Sequence, residues 1–143
     1  MNIVRKIFEE SETAELASEL ADELSPPLTV ALCGQLGAGK TTFLRYFVKS
    51  RGISDPVSSP SFVLQHIYTG TQLTIEHWDL YRLKIAPEDL FEPPEENTIR
   101  FIEWADRFPE VMKATDLTIN IKLKKINSDR FSREFYIESP GRV

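Results

Sequence analysis

The stretch Gly34-Gln35-Leu36-Gly37-Ala38-Gly39-Lys40-Thr41 constrains this chain more than any other feature. It fits G-x-x-x-x-G-K-[ST], the pattern of a phosphate-binding loop. An apolar run, Leu28-Thr29-Val30-Ala31-Leu32-Cys33, leads into it, and a helical pattern from Thr41 to Ser50 leads out. Strand, glycine loop, helix is the order such a loop requires. Gly34, Gly37 and Gly39 let successive N–H groups turn inward toward phosphate oxygens, and the following helix adds its positive N-terminal end. Lys40 supplies a mobile cation to the terminal phosphates, and the Thr41 hydroxyl is placed to ligate magnesium. An incidental glycine turn with a stray lysine is the competing account, and the flanking pattern disfavours it.

The chain has 143 residues, enough for one domain built on a single core. We expect residues 1–143 to form one phosphate-loop domain with an α/β fold: a central mixed sheet flanked by helices, with antiparallel hairpins. The 17 basic and 22 acidic residues give a net charge of −5, which argues against a surface that binds nucleic acid non-specifically. Charges at Arg5, Lys6, Glu9, Glu10, Glu12, Glu15 and Glu19 interrupt the first twenty residues, and no run elsewhere suits a bilayer. The expectation is a cytoplasmic protein with no membrane contact. The single cysteine, Cys33, reads as a small reduced core residue.

Met1 to Phe8 reads as a short strand, followed by a helix carrying Ala14, Leu16, Ala17, Leu20, Ala21 and Leu24 on one face. Ser11 or Thr13 begins it, and Ser25-Pro26-Pro27 ends it. The helix after the glycine loop buries Phe43, Leu44, Phe47 and Val48 and stops near Gly52. Ile53 to Ser61 follows as a loop whose hydroxyls, Ser58, Ser59 and Ser61, are candidates for sensing a terminal phosphate. Phe62 to Tyr68 and Leu73 to Leu80 read as a hairpin, and period two puts Ile75, His77 and Asp79 on one side of its second strand. His77 alone reads more readily as structural than as chemical. Ala86 to Leu90 suggests a short helix, and Ile99 to Trp104 is an apolar strand that finishes in Glu103, the position of a magnesium-shell acid in phosphate-loop folds. Ala105 to Met112 reads as helical, and Leu117 to Lys124 and Phe131 to Glu138 as a second hairpin. Arg133 shares parity with Phe131, Phe135 and Ile137, so its charge either sits beyond the core edge or reaches a buried anion.

If Asp79 and Glu103 both approach a triphosphate, each would be repelled by about 4 kcal/mol at about 4 Å and an effective dielectric near 20. A magnesium ion held by Thr41 reverses that sign. We expect Glu103 on the metal side and Asp79 on the side of the attacking water, with the swapped assignment open. No Asn-Lys-x-Asp guanine signature occurs, which leaves ATP as the expected nucleotide. Trp104 reads as packing the sheet in preference to stacking at the site.

Gly34 to Thr42, Ser59-Pro60-Ser61-Phe62, His77-Trp78-Asp79-Leu80-Tyr81-Arg82 and Ile102-Glu103-Trp104, in this order, resemble the TsaE (YjeE) family of bacterial ATPases. The resemblance implies a magnesium-dependent ATPase needed for the threonylcarbamoyl group on adenosine 37 of tRNAs that read codons starting with A. It implies two partners, a TsaD-type threonylcarbamoyl transferase and its TsaB-type paralogue, with tRNA engaged through their complex. Carried onto this chain, it places ATP on Gly37, Ala38, Gly39, Lys40, Thr41, Thr42 and Ser61, and magnesium on Thr41 and Glu103. It also makes Thr13 and Arg133 nucleotide contacts, and Asp79, Glu103 and Lys40 the catalytic group. Gln35 stands where the family usually has aspartate, Ser61 where it has threonine, and Phe91 to Thr98 replaces a glycine-containing segment.

A different class of function stays open beside the ATPase: a nucleotide-gated interaction module in which binding, not hydrolysis, controls partner assembly. A small-molecule kinase ranks below both, because the chain leaves little room for an acceptor pocket and lid. Lys122, Lys124, Lys125, Arg130 and Arg133 make the last hairpin basic, which reads as a solvated sheet face.

Overall fold

The computed structural model describes residues 2–54, 57 and 64–139. Ser58, Ser59 and Ser61, the expected phosphate sensors, lie outside the described residues.

Four parallel strands form the middle of one mixed sheet: β2 (Leu28–Gly34), β4 (Thr74–Asp79), β5 (Thr98–Glu103) and β6 (Leu117–Asn127). Antiparallel β3 (Gln65–Thr69) completes one edge, and antiparallel β7 (Arg130–Glu138) with β1 (Asn2–Ile7) completes the other. The spatial order is β1-β7-β6-β2-β5-β4-β3. The α/β fold with mixed sheet and two hairpins is as the sequence predicts.

Alternation along β2 divides the core. Val30 and Leu32 join a cluster with Leu16 and Leu20 of α1 (Glu10–Glu23) and Phe43 and Phe47 of α2 (Lys40–Ser50). Ala31 and Cys33 face the other way, toward Phe108, Val111 of α3 (Pro109–Met112) and Leu90 of a 3-10 turn at Glu88–Phe91. Phe47 meets Phe101 edge-on at 5.0 Å between ring centres, and Phe43 meets Phe135 at 5.6 Å, so α2 is locked over β5 and β7. A fully buried phenylalanine is worth about 2–3 kcal/mol, so these rings hold the helix that follows the glycine loop.

α1 starts earlier than Ser11 or Thr13. Glu9 stands at the N-cap and forms a capping box with Glu12, whose carboxylate accepts the Glu9 N–H at 3.1 Å. Thr13 is thereby drawn onto the buried face of the helix. Pro109 splits the expected 105–112 helix into a turn at Ala105–Arg107 and the short α3. On the last hairpin, Lys124 pairs with Glu134 and Lys122 lies over the Tyr136 ring. No helix among the described residues is long and apolar enough to cross a membrane.

Candidate functional site

β2 ends at Gly34 beside Ile121 of β6, where a Cβ would lie 2.7 Å from the Ile121 carbonyl oxygen. Only glycine fits so close to another backbone. The chain turns through an Ala38 N–H to Gln35 carbonyl bond of 3.0 Å and enters α2 after Gly39, whose φ is +114°. An α-helix leaves its first amides without intrahelical acceptors, so the start of α2 presents donors toward the loop, with Thr41 and Thr42 half-buried in the first turn. The Ala38 N–H is already committed to Gln35.

Lys40 is 5% exposed and folds back along the loop. Its Nζ donates to the Gly34 carbonyl at 2.6 Å, lies 3.8 Å from Glu103 Oε1, and sits 3.8 Å from the centre of the Trp104 ring. Burial pushes its pKa down, opposed by the charges of Glu103 and Asp79. At 3.8 Å the Glu103 attraction is about 4 kcal/mol for an effective dielectric near 20, enough to keep the buried amine paired.

Parallel pairing of β4 with β5 aligns Asp79 with Glu103 at the strand ends. Glu103 is buried, and its Oε2 lies 2.6 Å from Nε2 of the fully buried His77. Asp79 is half-buried, accepts the Tyr81 N–H at 2.9 Å, and has its pKa raised by burial ahead of the lowering by that bond. The acids therefore stand in different surroundings, one paired and one partly desolvated.

Trp104 packs against the cluster around Ala31 and Ile102, as expected, and also reaches the site. It takes the left-handed conformation, φ 63°, which turns its indole onto Lys40. Tyr81 packs against it at 5.1 Å, and Arg107 lies over both rings while donating to the Tyr81 carbonyl at 2.6 Å. These side chains make a rim that period-based reading does not reveal, because its members come from two strand ends and a turn.

Arg133 takes neither of its two alternatives but reaches the loop backbone: its Nε donates to the Ala38 carbonyl at 2.8 Å, and a Cβ on Gly39 would come within 3.1 Å of that Nε. Lys40, Glu103, Asp79 and Arg133 thus converge around the loop. Thr13 does not join them by any hydrogen bond among the described residues; it occupies the buried face of α1. The contact that sequence reasoning missed is His77 with Glu103. Period two already put His77 on the face of Asp79, but its partner is 26 residues further on and only strand pairing unites them.

A glycine loop between a parallel strand and a helix, with a buried lysine and acids at neighbouring strand ends, defines a phosphate-loop nucleotide-binding α/β protein. Residues 7–134 match the family described as Threonylcarbamoyl adenosine biosynthesis protein TsaE. The chain belongs to the TsaE family, which is involved in tRNA threonylcarbamoyladenosine biosynthesis. Similar proteins include the tRNA threonylcarbamoyladenosine biosynthesis protein TsaE of Rickettsia conorii, 37% identical over 79% of this chain and 67% of the relative. Its Bacillus subtilis namesake is 35% identical over 78% of this chain and 72% of the relative. Among solved structures, Bacillus subtilis YdiB superposes with a TM-score of 0.72 at 25% identity, covering 99% of this chain and 87% of that one.

Proposed function

We propose that this chain is a magnesium-dependent ATP hydrolase that acts as one cytoplasmic domain, residues 1–143, in forming the threonylcarbamoyl group on adenosine 37 of tRNAs reading codons that start with A. Its partners in this reading are a TsaD-type transferase and a TsaB-type paralogue, and it meets tRNA through their complex. The observation that carries the proposal is the convergence of Lys40, Glu103 and Asp79 on the loop at the ends of β2, β5 and β4.

The residues present suit both ligands. The loop keeps Gly39 close against Arg133, where a Cβ would lie 3.1 Å from its Nε, and beside it stands an almost fully buried amine whose burial favours acquisition of an anion. The donors for a cation are oxygens, from Thr41 and Glu103, as a hard ion requires. No three acid, histidine or cysteine side chains among the described residues cluster closely enough to hold a metal, so phosphate oxygens complete the shell in this reading. When bound, magnesium neutralises phosphate charge and so lowers the barrier to attack.

The chain's own groups divide the remaining work. The amides of Gly37 and of Gly39 to Thr42, with Lys40 and Arg133, bind the phosphates; Ser61 completes the nucleotide contacts. Thr41 and Glu103 hold the cation. Asp79 orients the attacking water and accepts its proton as the oxygen bonds to the terminal phosphorus and the bond to the bridging oxygen breaks, releasing ADP. A carboxylate whose pKa is raised by burial is a better base for this than an ordinary one. Phosphate release measured with and without magnesium, alone and with both partners, tests the proposal. Release in the complex is expected; none even there leaves nucleotide-gated assembly as the function.

A further inference from the structure

We infer that His77 is a positioning residue that clamps one oxygen of Glu103 and so turns the other to face the loop. The imidazole has no exposure to solvent, its Nε2 is 2.6 Å from Glu103 Oε2, and the opposite oxygen, Oε1, is the one beside Lys40. The Nδ1 atom has no hydrogen-bond partner among the described residues. A histidine kept for packing anchors its second nitrogen to a backbone carbonyl or another side chain, since a buried polar atom left alone is costly. Here Glu103 is the ring's sole polar anchor within the described chain. The rings of His66 and Tyr68 lie alongside, each 6.4 Å away between centres, and restrict the imidazole to this orientation.

The chemistry fixes the direction of the bond. Glu103 beside an ammonium is an acceptor, so the hydrogen resides on Nε2. A carboxylate oxygen that accepts one hydrogen bond keeps a second lone pair, so the ring does not consume Oε2; it fixes the rotamer in which Glu103 presents Oε1 to the loop. The effect on magnesium affinity rests on the metal role proposed above for Glu103; the clamp itself does not.

Long-range proton–nitrogen spectra of the metal-free protein read the ring directly. A hydrogen on Nε2 is expected; a ring protonated only at Nδ1 overturns the clamp. Magnesium titration of the nucleotide-bound protein then compares two substitutions. His77→Phe, which keeps the bulk and loses the donor, should raise the magnesium midpoint about tenfold, in line with the loss of partners that orient metal ligands. His77→Gln, whose amide nitrogen falls where Nε2 lies, should stay within about threefold of the parent. Nucleotide affinity without magnesium should change by less than about twofold in both. Equal behaviour of the two variants overturns the inference. A parent protein that binds nucleotide with no dependence on magnesium sinks the proposed function instead, and the imidazole spectrum alone then decides the clamp.

Discussion

Asp79 and Glu103 are register partners on adjacent parallel strands, so two carboxylates leave the same face of the sheet one strand spacing apart, about 4.8 Å. Three residues back, the same pairing sets Glu76 against Arg100 on the opposite face. One strand pair thus carries a like-charge couple toward the loop and an ion pair away from it. The like-charge couple is sustained because Lys40 and His77 engage Glu103, while Asp79 is held by the Tyr81 amide.

Replacing Asp79 by asparagine should raise stability at neutral pH while removing turnover. Burial raises the folded-state pKa of Asp79 above the ordinary aspartate value. Its contribution to stability is fully present below the unfolded pKa and is lost as pH rises through the folded value, so at pH 7 the ionised group is a net cost. The amide cannot ionise and can still accept the Tyr81 N–H. We expect Tm to rise by about 2–4 °C at pH 7, on the order of 1 kcal/mol, with the advantage fading toward pH 3. Nucleotide binding should survive. A variant that melts lower at pH 7, measured beside the parent across pH, would show that Asp79 is held by its charge.

Gly39 and Arg133 should couple. At Gly39 a side chain meets both an unfavourable φ of +114° and the Arg133 guanidinium at 3.1 Å. Gly39→Ala should cost about 2 kcal/mol, part of it backbone strain and part displacement of Arg133 from the Ala38 carbonyl. Removing Arg133 beforehand leaves only the backbone share. Urea unfolding of both single variants and the double should therefore show a coupling of about 1 kcal/mol, and strict additivity would mean that Arg133 does not brace the loop.

Legibility followed the range of the interaction. The glycine loop, β2 and α2 were plain because each is specified by neighbours in sequence, and Asp79 and Glu103 were plain because an acid ending an apolar strand is itself a local sign. The partner of His77 could not be read, because it comes from a different strand and no one-dimensional pattern joins positions 77 and 103. The parity of Arg133 was visible, but its destination, the Ala38 carbonyl, depends on β7 lying beside β6 and β6 beside β2. The Trp104 contact with Lys40 could not be read, because a left-handed backbone at a bulky residue has no sequence signature. The start of α1 shifted because Glu9 takes the N-cap position and pairs reciprocally with Glu12 in a capping box.

Cys33 should resist thiol reagents until the protein unfolds. It is buried at the end of β2, and burial, with the Asp106 charge adding to it, pushes its pKa up to about 12. At pH 8 the thiolate fraction is then about one in ten thousand, and the thiolate is the reacting form. Labelling by a disulfide reagent should be immediate in concentrated urea and, in its absence, should track global opening. Rapid labelling of the folded chain would show that the end of β2 opens locally.

Arg100 should be more important to the fold than to the chemistry. Its Nε meets Glu76 Oε1 at 2.8 Å, one terminal nitrogen donates to the Glu92 carbonyl at 2.7 Å, and the Trp78 indole N–H donates to that same Glu76 oxygen at 2.8 Å. The pair is mostly buried, on the face away from Lys40. Arg100→Met leaves the Glu76 charge desolvated with only the indole as partner, which should cost about 3 kcal/mol. Adding Glu76→Met removes that stranded charge and should return stability to within about 1 kcal/mol of the parent, because a buried ion pair exchanged for apolar packing is often close to neutral. Nucleotide binding should be unchanged in the double variant. If urea unfolding finds the double no more stable than Arg100→Met alone, the guanidinium holds the Glu92 carbonyl and its turn in place more than it neutralises Glu76.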